Sequence, residues 1–196
     1  MLVSEGLAVR VYRATETEAD LVRQAQAGAR DAFDALVAQH ATAVVRTAYT
    51  ILGSQEEADD VAQETFMAAY RNLGHYRHDA PFGAWLHRIA VNRSYDVTRR
   101  HQRQTKLIDE IAAGSSGSDE EDALRQARTQ EQGAQVRELI AGLDEVNRAI
   151  VALRFLQDMS IKQIAATLEM PEGTIKRRLH DVLKVLRRRV AEGALG

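Results

Sequence analysis

The chain has 196 residues, 45% hydrophobic and 28% charged, which is typical of a globular protein with one large or two small domains. Cysteine is absent, which excludes disulfides, thiol nucleophiles and cysteine-based zinc sites. No apolar run approaches the roughly 18 residues needed to cross a membrane, and the first fifteen residues lack a signal-peptide core. These features predict a cytoplasmic protein without membrane insertion.

Charge is distributed in four blocks, although the net charge is only −2. Residues 1–76 carry −5 and residues 107–145 carry −7. Residues 77–106 have seven basic against two acidic residues, and residues 146–196 have ten against five, so each carries +5. Two basic blocks separated by an acidic one predict nucleic-acid contact at two places.

Helical periodicity dominates the first half of the chain. Apolar residues from Phe33 to Ile51 recur at spacings of three and four, which predicts one long helix. A capping-box pattern at Ser54–Glu57 begins another helix that extends to Leu73. The weak alternation at 7–12 is the one hint of a strand, so we predict an all-α fold. Glycines stand where helices could end, at Gly28, Gly53, Gly74 and Gly142.

A segment near the middle of the chain has the composition of a linker. Residues 112–122 read AAGSSGSDEED, which is too small and polar to bury surface against the entropy of ordering it. We therefore predict two small helical domains, at 16–105 and 132–192, joined by a flexible acidic linker at 106–131.

The C-terminal domain has the pattern of a helix-turn-helix. A capping box at Ser160–Gln163 begins a short helix, and Glu169–Pro171 ends it. A longer basic helix follows, with an apolar stripe from Ile175 to Val190. At about 100° per residue, the opposite face can be assigned. It holds Thr174, Arg177, Asp181, Lys184 and Arg188, flanked by Lys176, Arg178 and His180.

The start of this second helix is the predicted DNA-reading end. In a helix-turn-helix, its N-terminal residues reach base edges in the major groove. Arginine can hold guanine with two hydrogen bonds, worth about 1–3 kcal/mol of discrimination. We therefore predict Arg177 and Arg178 as base or phosphate contacts, and Lys184 as a phosphate contact or a solvated residue. The alternative is a solvated basic helix packed on a bundle.

The predicted helix at 54–73 has an acidic outer face that includes one methionine. An exposed methionine among acidic groups suits an adaptable protein interface. Composition alone favours an ordinary solvated face instead. The residues concerned are Asp60, Gln63, Glu64, Met67 and Arg71.

The next predicted helix, at 82–103, changes character along its length. Its first half carries an apolar stripe that includes Phe82 and Trp85, and its second half is polar and basic. Aromatics beside arginines could stack single-stranded bases, with Tyr76 close by in sequence. The alternative is that Phe82 and Trp85 are simply core residues.

Three segments together resemble the second and fourth conserved regions of extracytoplasmic-function sigma factors. The second region is matched by DDVAQETFMAAYRNL at 59–73 and by PFGAWLHRIAVNRSYDVTRRHQR at 81–103. The fourth region is matched by MSIKQIAATLEMPEGTIKRRLHDVLKVLRRR at 159–189. The resemblance covers residues 17–190 and implies a protein that binds core RNA polymerase and directs it to particular promoters.

The resemblance also implies roles for individual residues. Asp60, Gln63, Glu64 and Phe66 match the segment that docks on the clamp of the largest polymerase subunit, and Phe66 is expected to pack inward. Asn92 matches a position that captures a flipped base of the −10 element. The polymerase-binding set is Asp60, Gln63, Glu64, Met67 and Arg71; the −10 set is Tyr76, Asn92, Arg93, Arg99, Arg100 and Arg103; the −35 set is Glu172, Thr174, Lys176, Arg177, Arg178 and Lys184.

One position departs from the family pattern, and one further partner is implied. Arg177 stands where the recognition helix usually has serine, which suggests an altered −35 preference or an added phosphate contact. Many relatives are held inactive by an anti-sigma factor, so we expect such a partner here. We also expect the free protein to be compact and to bind DNA poorly.

Other classes of function have weaker support. A conventional helix-turn-helix regulator that binds duplex DNA without polymerase would explain the C-terminal domain equally well, and a protein-interaction adaptor would explain the basic patches. Catalysis finds little support, because no carboxylate pair or phosphate loop stands out. We therefore expect no catalytic residue, cofactor or metal. No metal-ligand spacing links the six histidines His40, His75, His78, His87, His101 and His180.

Overall fold

The computed structural model describes residues 17–111 and 138–193, and within these ranges it contains helices and no strand. The all-α prediction is confirmed there, while the possible strand at 7–12 and the acidic run at 119–122 lie outside them. The helices that lie wholly within these ranges are α1 Glu18–Gln26, α2 Arg30–Leu52, α3 Gln55–Asn72, α4 Phe82–Ile111, α5 Glu145–Val151, α6 Ile161–Leu168 and α7 Glu172–Gly193. A 3-10 turn, Leu73–His75, follows α3, and a π-helical turn, Ala152–Leu156, follows α5.

Helix caps explain where several of these helices begin. The predicted box before α6 is complete, because Ser160 Oγ accepts the Gln163 N–H and Gln163 Oε1 accepts the Ser160 N–H. The box before α3 is only half made. Ser54 Oγ accepts the Glu57 N–H, but the Glu57 carboxylate lies 2.8 Å from His101 Nε2. A contact with His101 of α4 thus replaces the second bond of the box, in which the Glu57 carboxylate would accept the Ser54 N–H.

Helices α1 to α4 surround a core that the sequence pattern located well. Leu21, Leu36 and Val44 are fully buried there, together with Phe82 and Leu86 from the first half of α4. The inner face of α3 is buried at Ala58, Ala62, Thr65 and Ala69, and Leu73 of the following 3-10 turn is also buried.

The C-terminal helices pack against α2 and α4. Ile150 and Ile164 are fully buried in a cluster that also contains Ile51 of α2 and Ala84 and Val91 of α4. Burying side chains of this size stabilises the packing by about 1.5–3 kcal/mol each. The helix-turn-helix is therefore held against the first four helices by a shared apolar core.

Polar contacts join the same two groups of helices. Gln157 Nε2, after the π-helical turn, donates to the Ala43 carbonyl and to Thr47 Oγ1, each at 3.2 Å. Arg88 of α4 pairs with Glu169, which ends α6. These contacts tie the turn regions of the C-terminal helices to α2 and α4.

Helix α4 is longer than predicted. It runs to Ile111, beyond the expected linker start at residue 106, because no glycine or proline occurs between Gly83 and Gly114. Across 17–111 and 138–193, no helix is both long and apolar enough to cross a membrane.

Candidate functional surfaces

The outer face of α3 carries the five side chains predicted to meet the polymerase. All five are exposed, and Phe66 is partly buried against the core, on the side expected from its helical position. Met67 is 49% exposed, an unusual position for a large apolar side chain. The face consists of Asp60, Gln63, Glu64, Met67 and Arg71.

A groove of about 730 Å³ lies between this face and α2. Phe33 and Val37 of α2 form one wall, and Phe66, Met67 and Tyr70 of α3 form the other. Tyr70 is 47% exposed, and its ring centroid lies 5.0 Å from that of Phe33 in an edge arrangement. Sequence analysis missed Tyr70, although its position three residues after Met67 places both on one side of the helix. We call this feature the α2–α3 groove.

The second half of α4 presents the polar, basic surface that the sequence predicted. Asn92, Arg100 and Arg103 are exposed. Arg99 Nη2 lies 2.7 Å from Asp96 Oδ1, one turn earlier on the same helix. Arg93 Nη1 lies 3.8 Å from Glu64 Oε2 of α3. The basic surface of α4 and the acidic face of α3 therefore meet at a common edge.

An aromatic cluster precedes this surface. Phe82 is core, as the plainer interpretation held, whereas Tyr76 and Trp85 are half-buried. The ring centroids of Tyr76 and Trp85 are 5.1 Å apart. Both rings line a cleft of about 450 Å³ whose opposite wall belongs to α6, with Lys162 and Thr167. The predicted base-stacking aromatics thus face the helix-turn-helix.

Helix α7 exposes most of the predicted −35 contacts. Lys176, Arg177 and Lys184 are exposed, and Thr174 is half-buried at the start of the helix. Glu172 is exposed and lies 4.0 Å from Lys176 across one turn. These side chains make one mixed, mainly basic surface on the helix.

Arg178 is placed differently from its neighbours. Its side chain is 34% exposed, and its Nη1 lies 3.2 Å from Asn147 Oδ1 and 3.5 Å from Asp144 Oδ2. The guanidinium of Arg178 is therefore directed to α5, while Lys176 and Arg177 extend into solvent.

A buried histidine that the sequence did not assign lies where the C-terminal helices meet α4. His87 is 3% exposed, and its Nδ1 has no hydrogen-bond partner among the described residues. Burial, together with the nearby His40, lowers the pKa of His87 to about 4. At neutral pH the imidazole is therefore uncharged. The part of the chain that is described holds no group of three metal-ligating side chains.

Comparison with known proteins identifies both halves of the chain. The Sigma-70 region 2 profile matches residues 36–104, and the Sigma-70, region 4 profile matches residues 133–186. The ECF RNA polymerase sigma factor SigW of Bacillus subtilis (strain 168) is 28% identical, over 87% of this chain and 95% of that protein. RNA polymerase sigma factor CnrH of Cupriavidus metallidurans (strain CH34) is 33% identical, over 81% of this chain and 86% of CnrH.

A solved structure extends the likeness to three dimensions. The structure of CnrH in complex with the cytosolic domain of CnrY aligns with a TM-score of 0.66 and 27% sequence identity. The alignment covers 88% of this chain and 96% of CnrH. Because both sigma regions occur in order and the similarity to CnrH and SigW spans most of each protein, the chain belongs to the extracytoplasmic-function sigma factors of RNA polymerase.

Proposed function

We propose that this sigma factor docks on core RNA polymerase through the α2–α3 groove and the outer face of α3. The observation that carries this proposal is the exposure of Met67 and Tyr70 beside the acidic residues Asp60 and Glu64. Exposed apolar side chains rimmed by charge are typical of protein interfaces. They call for a partner with apolar anchors flanked by basic residues. The partner we propose for this surface is the clamp of the largest polymerase subunit, as the resemblance to the family implies.

The second half of α4 and the aromatic cluster form the proposed −10 surface. Exposed Asn92, Arg100 and Arg103 offer hydrogen-bond donors and positive charge to a single strand, and Tyr76 and Trp85 offer rings for stacking. Extruding a base costs a few kcal/mol, which such groups must offset. Arg93 and Arg99 complete the −10 set. Their guanidiniums are paired with carboxylates in this structure, and on DNA binding each can exchange its carboxylate for a phosphate.

Helix α7 is the proposed reader of the −35 element as a duplex. Glu172, Lys176, Arg177 and Lys184 are exposed, and Thr174 is half-buried in the first turn. Among the exposed cations, Lys176 and Arg177 are nearest the start of the helix, where a recognition helix meets base edges. Lys184 lies two turns further on and suits a phosphate.

We further propose that the two sigma regions act as separate domains, at 16–105 and 132–192, that close on each other in the free protein. The shared apolar core and the Gln157 contacts to α2 support a compact resting form. The solved CnrH complex contains the cytosolic domain of CnrY. By analogy, an anti-sigma factor would stabilise an inactive arrangement of this chain.

The same proposal places the protein in the cytoplasm with RNA polymerase and gives it no catalytic role. The proposed function consists of binding core RNA polymerase and of recognising and melting promoter DNA, so polymerase and promoter DNA suffice as partners. The proposed function requires no cofactor.

Run-off transcription tests the proposed function. Purified core RNA polymerase is supplied with a pool of genomic promoter fragments, with and without this protein. New defined start sites are the expected result, and the sequences upstream of them reveal both promoter elements. Tight duplex binding by the protein alone, without polymerase binding or new starts, would support the conventional regulator instead.

A further inference from the structure

Arg178 stands apart from the other cations at the start of α7. The side chain of Lys176 is 66% exposed, and that of Arg178 is 34% exposed. Arg178 Nη1 donates to Asn147 Oδ1 at 3.2 Å and lies 3.5 Å from Asp144 Oδ2. Both acceptors belong to the beginning of α5, more than thirty residues earlier in the chain. The guanidinium therefore bridges two helices of the C-terminal domain.

The acceptors themselves are held in a fixed arrangement. Asp144 is the N-cap of α5, and its Oδ1 accepts the backbone N–H of Asn147 at 2.8 Å. Its Oδ2 accepts Asn147 Nδ2 at 2.8 Å. Because the cap fixes Asp144 and Asp144 fixes the Asn147 amide, Arg178 binds a preformed site at the start of α5. We call these three residues the Arg178 bridge.

An aromatic side chain of α4 lies near the bridge. Tyr95 of α4 is half-buried in the cluster that includes Ile150 of α5. The charges of Glu145, Asp144 and Arg178 act on its hydroxyl. The hydrogen bond from Arg178 to Asn147 is part-buried, whereas the side chain of Asp144 is 51% exposed, so we expect the Asn147 contact to contribute most to the orientation of Arg178.

We propose that Arg178 is a positioning residue for −35 recognition, which sets the orientation of α7 on α5 so that Lys176 and Arg177 meet the duplex correctly. This inference rests on the proposed −35 role of α7 and assigns Arg178 a part that differs from direct DNA contact. Bidentate base contacts need side chains held to within a fraction of an ångström, and a supporting group supplies that precision. The planar guanidinium suits two acceptors on one neighbouring helix.

The salt dependence of DNA binding distinguishes positioning from a phosphate contact. Each phosphate contact contributes about one counterion to the slope of log K against log salt, so its loss reduces that slope by about one. Loss of a positioning residue weakens binding without changing the slope. Lys184→Ala is the matched control, since Lys184 is the proposed phosphate contact and is expected to reduce the slope.

The experiment measures binding of the reconstituted holoenzyme to a duplex promoter fragment obtained by run-off selection, over a range of salt concentrations. A second fragment has its −35 element scrambled. We expect Arg178→Ala to lose about tenfold in affinity for the intact promoter at an unchanged slope, with a smaller preference over the scrambled fragment. Arg178→Lys restores part of the preference, and thermal melting checks that each variant is folded.

A double-substitution cycle with Asn147→Ala separates positioning from direct reading of a base. Asn147 belongs to α5 and not to the recognition helix α7. Its substitution should therefore reduce promoter preference only if the Arg178 bridge orients α7. We expect Asn147→Ala to lower the preference and to add little to Arg178→Ala. A slope reduced by one in Arg178→Ala, or additive effects of the two substitutions, overturns the positioning role. Absence of promoter binding by the unsubstituted holoenzyme overturns the −35 function itself.

Discussion

Arg93 Nη1 of α4 and Glu64 Oε2 of α3 lie 3.8 Å apart, so the proposed −10 surface and the proposed polymerase surface share an ion pair. Both side chains are largely accessible, at 40% and 50%. A pair this exposed stabilises the fold by at most about 1 kcal/mol. Glu64 can therefore leave this pair for a contact with polymerase, and Arg93 for a DNA phosphate, at a small cost in free energy. The surfaces proposed for polymerase docking and for promoter capture are therefore adjacent.

The α2–α3 groove gives a direct prediction about polymerase binding. Replacing Met67 and Tyr70 together by alanine removes the two large apolar side chains that the groove exposes. We expect at least a tenfold loss of affinity for core polymerase, because burial of one such side chain stabilises a complex by about 1.5–3 kcal/mol. Fluorescence anisotropy of labelled protein, titrated with core polymerase in the absence of DNA, measures the change.

Folding and DNA-binding defects are controlled for separately in that experiment. The two groove side chains are half exposed, so thermal stability should change little. Lys184→Ala, on the proposed −35 surface, should bind polymerase like the unsubstituted protein. If the double variant binds polymerase normally, the groove is not the docking site.

Sequence periodicity located the helices well but could not locate their long-range partners. The stripe from Phe33 to Ile51 and the box at Ser160 predicted α2 and α6, because these signals are local. The side chain of Arg178 is directed towards Asp144, which lies 34 residues away in the sequence. No local sequence pattern indicates this contact. Likewise, nothing in its helical stripe marks Val91 as a contact for the C-terminal helices.

The buried His87 predicts that stability depends on pH. Its pKa is lowered to about 4 in the folded protein, against an ordinary value of 6.5. As the pH falls, the unfolded chain binds this proton first, so the stabilising contribution is complete above pH 6.5 and is lost as the pH falls towards 4. We expect about 3 kcal/mol of unfolding free energy to depend on this group. Denaturant unfolding at pH 7 and pH 4.5 measures most of that change.

A matched histidine shows whether the pH dependence belongs to this position. His87→Phe keeps an aromatic ring in the buried site, and the loss of stability between the two pH values should shrink. His180 lies on α7 with a side chain that is 79% exposed, so His180→Gln should leave the loss unchanged. Equal pH dependence in all three proteins would show that other groups dominate.

The contacts between α2, α4 and the C-terminal helices predict an autoinhibited free protein. The double variant Arg88→Ala, Gln157→Ala removes the ion pair to Glu169 and the two hydrogen bonds of Gln157. Together these contribute about 1–2 kcal/mol, so the closed form should lose population. We expect a larger radius of gyration by small-angle scattering and about fivefold tighter duplex binding without polymerase. Separated domains and tight duplex binding in the unsubstituted protein would contradict autoinhibition.

Arg177 is exposed near the start of α7. The resemblance to the family implies a serine at this position, so we expect Arg177 to determine which −35 sequences are used. Arginine at the reading end of the helix can discriminate bases by about 1–3 kcal/mol, whereas the more distal Lys184 is suited to sequence-independent phosphate contact. We therefore expect Arg177→Ala to redistribute run-off start sites across a promoter pool.

Lys184→Ala should instead reduce transcription from all promoters alike, without increased use of any start site. Arg177→Ser restores the usual family residue, so its start sites should shift in the same direction as those of Arg177→Ala. Equal, sequence-independent losses for Arg177→Ala and Lys184→Ala would refute a reading role for Arg177.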